Sequence, residues 1–393
     1  METPRSFRLG TLTLFALLCA AATVHAASLT LAWNPNTDGT TAGYRVYWGS
    51  QSGVYTNSVD AGNQTTYQLN GLPNGTPIYV IVRAYNSGGM LSAPSTEVSR
   101  RVGVPYSVAA DFTGDFESEI SVYRPSNGMW YLLRSNSGFL SGAGYQWGGY
   151  GDIPVPGDFD GDGKVDITVY RPATAHWFVL KSSTNYTTSI TYQWGSSGDI
   201  PVPGDYDGDG KSDPAVFRPS NGTWYILLSS TGYVGGAGYQ WGGAGDMPLK
   251  GDFDGDGRTD IAVYRPGDGH WFIKKSSTNF TTSITYQWGV PNDIPVVGDY
   301  DGDGKSDLAV YRPGNGTWYL AFSSSGYASG AGYAWGAGAD VPVPGDFDGD
   351  GRTDIAVYRA STANWFILKS TTNYGAWGTY QWGSFGDIPI LSR

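Results

Sequence analysis

The sequence predicts an all-β protein of two domains, the larger one a closed ring of repeated sheets. Asp111, Asp158, Asp205, Asp252, Asp299 and Asp346 follow one another at intervals of 47 residues, and their surroundings recur in step. Composition agrees: 40% of residues are hydrophobic and only 15% charged, with 58 glycines, which suits short strands and tight turns better than surface helices. At 393 residues the chain exceeds the usual size of one core.

The N-terminus reads as an export signal. Arg5 and Arg8 give a basic start, Leu9 to Ala22 is an apolar run short for a membrane span, and Val24-His25-Ala26 offers a small-residue cleavage pattern. Residues 1–26 are therefore expected to be a signal peptide and the mature protein secreted, or held at a cell surface, with no transmembrane segment. A lipid anchor at Cys19, the only cysteine, would want a small residue where Leu18 stands. Cleavage removes Glu2, Arg5 and Arg8 and leaves 22 basic and 34 acidic residues, a balance that argues against nucleic acid as a partner.

Residues 28–103 lack the 47-residue period. Trp33 lies on an early strand, Tyr44-Arg45-Val46-Tyr47-Trp48 is a second, and Tyr79 to Asn86 a third, reached from Leu72 through a Pro/Asn/Gly turn. The segment resembles a fibronectin type III β-sandwich, with Leu72 and Tyr79 in the tyrosine-corner region. The resemblance implies a spacer or docking module.

From residue 104 to 393 each unit holds an Asp-rich loop, then a segment such as Ile167-Thr168-Val169-Tyr170-Arg171. His176 to Lys181 follows, then a polar turn, Thr191 to Gly195, and finally Asp199-Ile200-Pro201-Val202-Pro203-Gly204. Four strands in 47 residues, repeated six times, predict a six-bladed β-propeller, a seven-bladed ring being the alternative. Asp387-Ile388-Pro389-Ile390-Leu391 starts a seventh copy and should close the ring against the first blade. Units alternate in type, Gly-Ala-Gly runs in odd units and Thr-Asn-Tyr/Phe turns in the second and fourth and sixth, so the true period is 94. Twelve of 15 tryptophans occupy two slots per blade, Trp130 and Trp147 in the first, and are expected to pack blade on blade.

The strongest chemical signal is the loop Asp158-Phe159-Asp160-Gly161-Asp162-Gly163-Lys164-Val165-Asp166. Carboxylates stand at positions 1, 3, 5 and 9 with Gly at 6, the oxygen spacing with which an EF-hand-type loop wraps Ca²⁺, and the Lys164 carbonyl can complete the shell. No Glu stands at position 12, so Asp166 must close the site. The same pattern gives Asp205, Asp207, Asp209, Lys211 and Asp213; Asp252, Asp254, Asp256, Arg258 and Asp260; Asp299, Asp301, Asp303, Lys305 and Asp307; and Asp346, Asp348, Asp350, Arg352 and Asp354. Five Ca²⁺ ions would nearly neutralise the mature chain. The first loop departs, with Thr113 at position 3, Phe116 at 6 and Glu119 at 9, and is expected to bind weakly or not at all.

These loops, with the Ile/Leu-Ala/Thr-Val-Tyr strand behind them, resemble FG-GAP or VCBS-like repeats. The family's Phe-Gly and Gly-Ala-Pro words are blurred here to Trp-Gly and Pro-Val-Pro-Gly. The resemblance implies a propeller with calcium between the first two strands of a blade, serving adhesion or glycan binding.

No nucleophile elbow, zinc-binding HExxH or phosphate loop occurs. His176 and His270 share a slot filled elsewhere by Met129, Thr223, Thr317 and Asn364, which does not suit a catalytic group. Arg124, Arg171, Arg218, Arg265, Arg312 and Arg359 end every second strand and should pair within the fold, for instance with Asp152. Phe139, Tyr186, Tyr233, Phe280, Tyr327 and Tyr374 recur amid Ser, Thr, Asn and Gly and are the ligand-binding candidates, as exposed turn aromatics suited to sugar. The expectation is a secreted, monomeric, calcium-binding, non-catalytic propeller for adhesion or carbohydrate binding, its partner a glycan or an extracellular protein. A calcium-dependent polysaccharide lyase and a structural spacer are the alternatives.

Overall fold

The computed structural model describes residues 27–36, 40–51, 53–72, 77–95, 97–101 and 110–390; the signal peptide read at 1–26 and Leu391 lie outside them. The chain divides into two compact units between residues 104 and 105.

In the first unit β1 (Ala27–Ala32) and β4 (Thr66–Leu72) form one antiparallel pair. A four-stranded sheet in the order β3-β2-β5-β6 combines β2 (Thr41–Gly49), β3 (Asn57–Gly62), β5 (Pro77–Asn86) and β6 (Val98–Arg101). Alternation sets the faces: Tyr44 and Val46 point inward with exposed Arg45 between them. Leu29, Leu31, Trp33, Leu69, Val80 and Val82 join them in one core, and Trp33 meets Tyr44 edge-on at 5.6 Å. Leu72 is buried in that core and Tyr79 half-buried on β5.

The described residues of the second unit fold into six four-stranded antiparallel sheets. The first blade contains β7 (Ile120–Arg124), β8 (Met129–Leu133) and β9 (Gly142–Gln146). The second is β10 (Ile153–Pro154), β11 (Ile167–Arg171), β12 (His176–Leu180) and β13 (Ser189–Gln193), in that order from one edge. In β11 four consecutive residues are buried, because both faces of the sheet lie under neighbouring blades. The last strand, Ile388–Pro389, pairs with β7 and supplies the first blade's missing edge, with Ile388 opposite Tyr123 and Ile390 N–H donating to Ser121. The predicted closing strand is therefore in place.

Tryptophan holds the blades together through its one polar atom. The Trp130 indole N–H donates to the Trp147 carbonyl within its blade (2.8 Å), and Trp147 donates to Phe178 of the next blade (3.0 Å). The cross-blade bond repeats at Trp194, Trp241, Trp288 and Trp335, and Trp382 closes the circle on Tyr131 (3.1 Å). The alternation of unit types has a steric side. A Cβ at Gly142 would lie 2.3 Å from the ring of Trp382, and one at Gly236 would lie 2.5 Å from that of Trp194. These glycines of odd units make room for the tryptophans of the preceding even units.

Each Arg predicted to pair within the fold does so. Arg171 grips Asp152 through two bonds of 2.7 and 2.8 Å, and the pairs Arg124–Asp387, Arg218–Asp199, Arg265–Asp246, Arg312–Asp293 and Arg359–Asp340 repeat it. Each guanidinium also lies over an aromatic ring, Arg171 at 4.6 Å from the Phe178 centroid. These pairs stand at the end of each blade opposite the Asp-rich loop.

Candidate metal centre

From the second blade to the sixth, each Asp-rich loop joins the edge strand of a blade to the strand beside it, and the first loop leads into β7. In the second blade Asp158 is buried, and its two oxygens accept from the N–H groups of Gly161 (2.6 Å) and Gly163 (2.8 Å). Both glycines have positive φ, 82° and 87°, so the loop coils back over its own first residue. Asp166 closes the loop by accepting from Phe159 N–H (2.8 Å) and Ser182 N–H (2.7 Å).

A second segment, unnoticed in the sequence, completes the site. Ser182 and Ser183 open a short 3-10 turn, and their hydroxyls donate to Asp162 (2.8 Å) and Asp160 (2.5 Å). The same contacts recur at Ser229 and Ser230, Ser276 and Ser277, Ser323 and Ser324, and Ser370 and Thr371. The signal was present, since these hydroxyl pairs also follow the 47-residue period.

The donor set fits a hard divalent cation. Carboxylate oxygens of Asp158, Asp160 and Asp166 lie within 4.8 Å of one another, and so do those of Asp205, Asp207 and Asp213, of Asp252, Asp254 and Asp260, and of Asp299, Asp301 and Asp303. Oxygens on opposite sides of Ca²⁺, each at about 2.4 Å, would be separated by about that distance. Asp160 Oδ1 and Asp254 Oδ1, both at position 3, are buried without any hydrogen-bond partner. A carboxylate oxygen left that way is costly unless a cation takes it. Position 7, which would offer only its carbonyl, is filled by Lys164, Lys211, Arg258, Lys305 and Arg352. Among these, the Arg258 and Arg352 side chains turn to Asp256 and Asp350 (2.9 Å each).

Without a cation the buried carboxyl groups of Asp166, Asp205, Asp213 and Asp299 are held toward their neutral form. Burial pushes Asp166 up to about 7, assisted by Asp160 beside it. It pushes Asp205 to about 7 and Asp299 to about 8, and Asp213, next to Asp207, to about 8.

The loops form a circle of their own. The position-8 N–H of each donates to the position-1 carbonyl of the loop before: Val165 to Asp111 (2.8 Å), Ser212 to Asp158 (2.5 Å), Thr259 to Asp205 (2.6 Å). Ser306 to Asp252, Thr353 to Asp299 and Ser118 to Asp346 complete the ring.

The first loop keeps the shape by other means. Phe116 occupies position 6 at φ 71°, the strained conformation expected there. Glu119 has one more methylene than Asp166, and its carboxylate accepts from Phe112 N–H (2.5 Å), Ser135 N–H (3.1 Å) and the Thr113 hydroxyl (3.0 Å). Oxygens of Asp111, Asp115 and Glu119 still converge within 4.8 Å.

The proposed sugar-binding aromatics are elsewhere than expected. Phe280 and Tyr374 are buried, and Phe139, Tyr186, Tyr233 and Tyr327 half-buried, in the seams between blades. Each packs at a tilt against the outer-strand Tyr of the preceding blade, as Tyr186 does against Tyr145 at 4.8 Å and Phe139 against Tyr380 at 4.9 Å. The Tyr186 hydroxyl lies 2.9 Å from the Phe112 carbonyl of the preceding loop and 2.9 Å from the Val165 carbonyl of its own. Tyr233, Tyr327 and Tyr374 repeat this bridge. Their positive φ, from 59° to 66°, turns the rings inward onto the loops, so they staple the fold and are not the exposed turn aromatics expected. His176 and His270 stack on Phe178 and Phe272, apart from the acidic loops.

Family models match the chain in both units: the fibronectin type III domain over residues 19–100 and the FG-GAP-like repeat over 252–310 and 299–357. The chain carries a fibronectin type III domain followed by FG-GAP-like repeats. Such repeats and such a domain are typical of extracellular adhesion and structural proteins. No curated protein matches. Among solved structures, a Lactobacillus plantarum protein is similar at 11% identity, covering 89% of this chain and 98% of its own, with a TM-score of 0.40. The Dos1 propeller is similar at 12% identity over 79% of this chain and 77% of its own, TM-score 0.33. The sixth fibronectin type III domain of a human protein is 22% identical over 25% of this chain and 90% of its own, TM-score 0.20. Among the described residues no helix is long and apolar enough to cross a membrane.

Proposed function

We propose that the FG-GAP-like repeats bind about five Ca²⁺ ions and that the protein is a secreted, non-catalytic adhesion or carbohydrate-binding module. Asp158, Asp160, Asp162 and Asp166 and their equivalents would hold the ions, with the carbonyls of Lys164, Lys211, Arg258, Lys305 and Arg352. Bound calcium would supply the positive charge that lets these carboxylates stay ionised while buried. The observation that carries the reading is the buried, unpartnered Asp160 Oδ1, repeated at Asp254, in a loop where Asp158 and Asp166 already have both oxygens engaged.

The chain's own residues act as the frame. The backbone N–H groups of Gly161 and Gly163 aim Asp158, the Ser182 and Ser183 hydroxyls aim Asp162 and Asp160, and the circle of loop-to-loop hydrogen bonds fixes each site against the next. Such a ring presents a rigid surface, as an adhesive module requires.

Elemental analysis of exhaustively dialysed protein, paired with glycan and extracellular-protein arrays in calcium and in chelator, tests the reading. About five equivalents of calcium and chelator-sensitive binding are expected. Retention of no calcium, or turnover of a polysaccharide, would overturn it.

A further inference from the structure

The face that carries the Arg–Asp pairs shows two aromatic rings for which the fold has no use. Tyr150 is 96% exposed and Phe385 87% exposed. They occupy one slot in the turn leading into each blade's edge strand, and the other four blades place Ser197, Ala244, Pro291 and Gly338 there. The blades concerned are neighbours, since Phe385 precedes the strand that closes the first blade and Tyr150 precedes β10 of the second.

Both rings sit on stiff tips. Asp152 N–H donates to the Gly149 carbonyl (3.2 Å) and Asp387 N–H to that of Ser384 (3.1 Å), and the intervening Gly151 and Gly386 have φ of 83° and 86°. A glycine with positive φ at that place is the signature of a type II turn with the aromatic at its first corner. Each turn is pinned at both ends. Tyr123 and Tyr358 hydroxyls donate to the Gly149 and Ser384 carbonyls (3.0 and 3.3 Å), and Arg171 and Arg124 grip Asp152 and Asp387 (2.7 Å each). Nothing lies within 4 Å of a Cβ built on Gly151 or Gly386, so the space beside each ring is open.

We propose that Tyr150 and Phe385 form a two-ring platform for a neutral oligosaccharide. The inference rests on the carbohydrate-binding part of the function proposed above and locates it. The ring's negative face suits the C–H face of a pyranose. The guanidinium groups nearby are engaged by the Asp152 and Asp387 carboxylates, which leaves no free cation beside the rings to hold an anionic sugar, so the platform is matched to an uncharged chain. Ile153 and Ile388, three residues on from each ring, are 38% and 39% exposed, and the exposed apolar area of the two turns is on the order of a few hundred Å², short of the roughly 800 Å² per partner of a stable protein interface. Two rings held one blade apart cost little ordering on binding, and a polymer that spans both gains from engaging them together.

The test uses the full chain in calcium on an array of neutral glucans, mannans, galactans and chitin oligosaccharides, followed by calorimetry with the strongest binder. Tyr150→Ala and Phe385→Ala should each weaken binding about tenfold, the double variant about a hundredfold, and Tyr150→Phe by less than about threefold. Melting in calcium should be unchanged in all of them, because the rings support nothing. Wild-type affinity in the double variant would overturn the platform while leaving a carbohydrate-binding propeller standing. Failure of the wild type to bind any neutral glycan would overturn both. Loss of adhesion to protein-coated surfaces in the double variant, without any glycan bound by the wild type, would reassign the rings to a protein partner.

Discussion

The first and second Asp-rich loops share a backbone and differ in how their centres are satisfied. In the second, Asp160 leaves one buried oxygen with no partner. In the first, Thr113 takes that place and its hydroxyl donates to Glu119, whose carboxylate also accepts from three backbone N–H groups, those of Phe112, Thr113 and Ser135. The comparison teaches that one loop shape can be completed in two ways. In the first copy a hydroxyl and three backbone N–H groups engage the closing carboxylate, whereas the second leaves a buried carboxylate oxygen for which the proposed cation is the partner.

Removal of calcium should therefore have the largest effect. Each occupied site contributes about 2.7 kcal/mol at a hundredfold excess over Kd, so EDTA is expected to lower the melting temperature by more than about 10 °C by scanning calorimetry. The pH response should reverse sign with calcium. The raised carboxyl groups of Asp166, Asp205, Asp213 and Asp299, at about 7 to 8, favour the folded state below their unfolded values near 4, and that advantage is lost as pH rises through 7 to 8. Metal-free protein should gain stability on acidification from pH 8 toward 4. Protein in excess calcium should lose it, because protons compete for the ligands. Identical pH curves with and without calcium would contradict both arms.

A narrower break is Asp160→Asn. It should remove one equivalent of calcium and lower the melting temperature in calcium while leaving metal-free protein the same or slightly more stable, since a like charge is gone. The converse exchange sharpens the comparison from the other side. Thr113→Asp with Phe116→Gly supplies the missing carboxylate and relieves about 1 kcal/mol of backbone strain, and should raise the stoichiometry by one. An unchanged calcium content would show that Glu119 keeps the site closed. The smallest effect is expected for Tyr233→Phe, which removes the hydroxyl bridging the Phe159 carbonyl (2.7 Å) and should cost about 1 kcal/mol by denaturant titration with the blade intact.

Much of this architecture was legible in the chain because a repeat writes its pattern six times. The 47-residue interval, the four strands per unit, the closing strand at Ile388 and the Arg–Asp partners all follow from recurrence. The acidic loops were legible because ligand spacing within nine residues is local. The serine turn was written in the same period but lies 20 residues from the carboxylates it serves, and nothing in its composition ties it to them.

The contrast between Tyr186 and Tyr150 marks where local reading ends. Both are tyrosines among small polar residues, and the 47-residue recurrence singles out Tyr186 as the exposed ring while nothing periodic marks Tyr150. The fold reverses them. Tyr186 turns at φ 60° into the seam, onto a carbonyl 74 residues away in another blade, while Tyr150 stands on a pinned turn with nothing against it. The sequence by itself determined the strands, the loops and their number, because those depend on periodicity and on ligands close in the chain. Only the tertiary structure decided which aromatics are covered, because that depends on the neighbouring blade, which closure of the ring brings within reach.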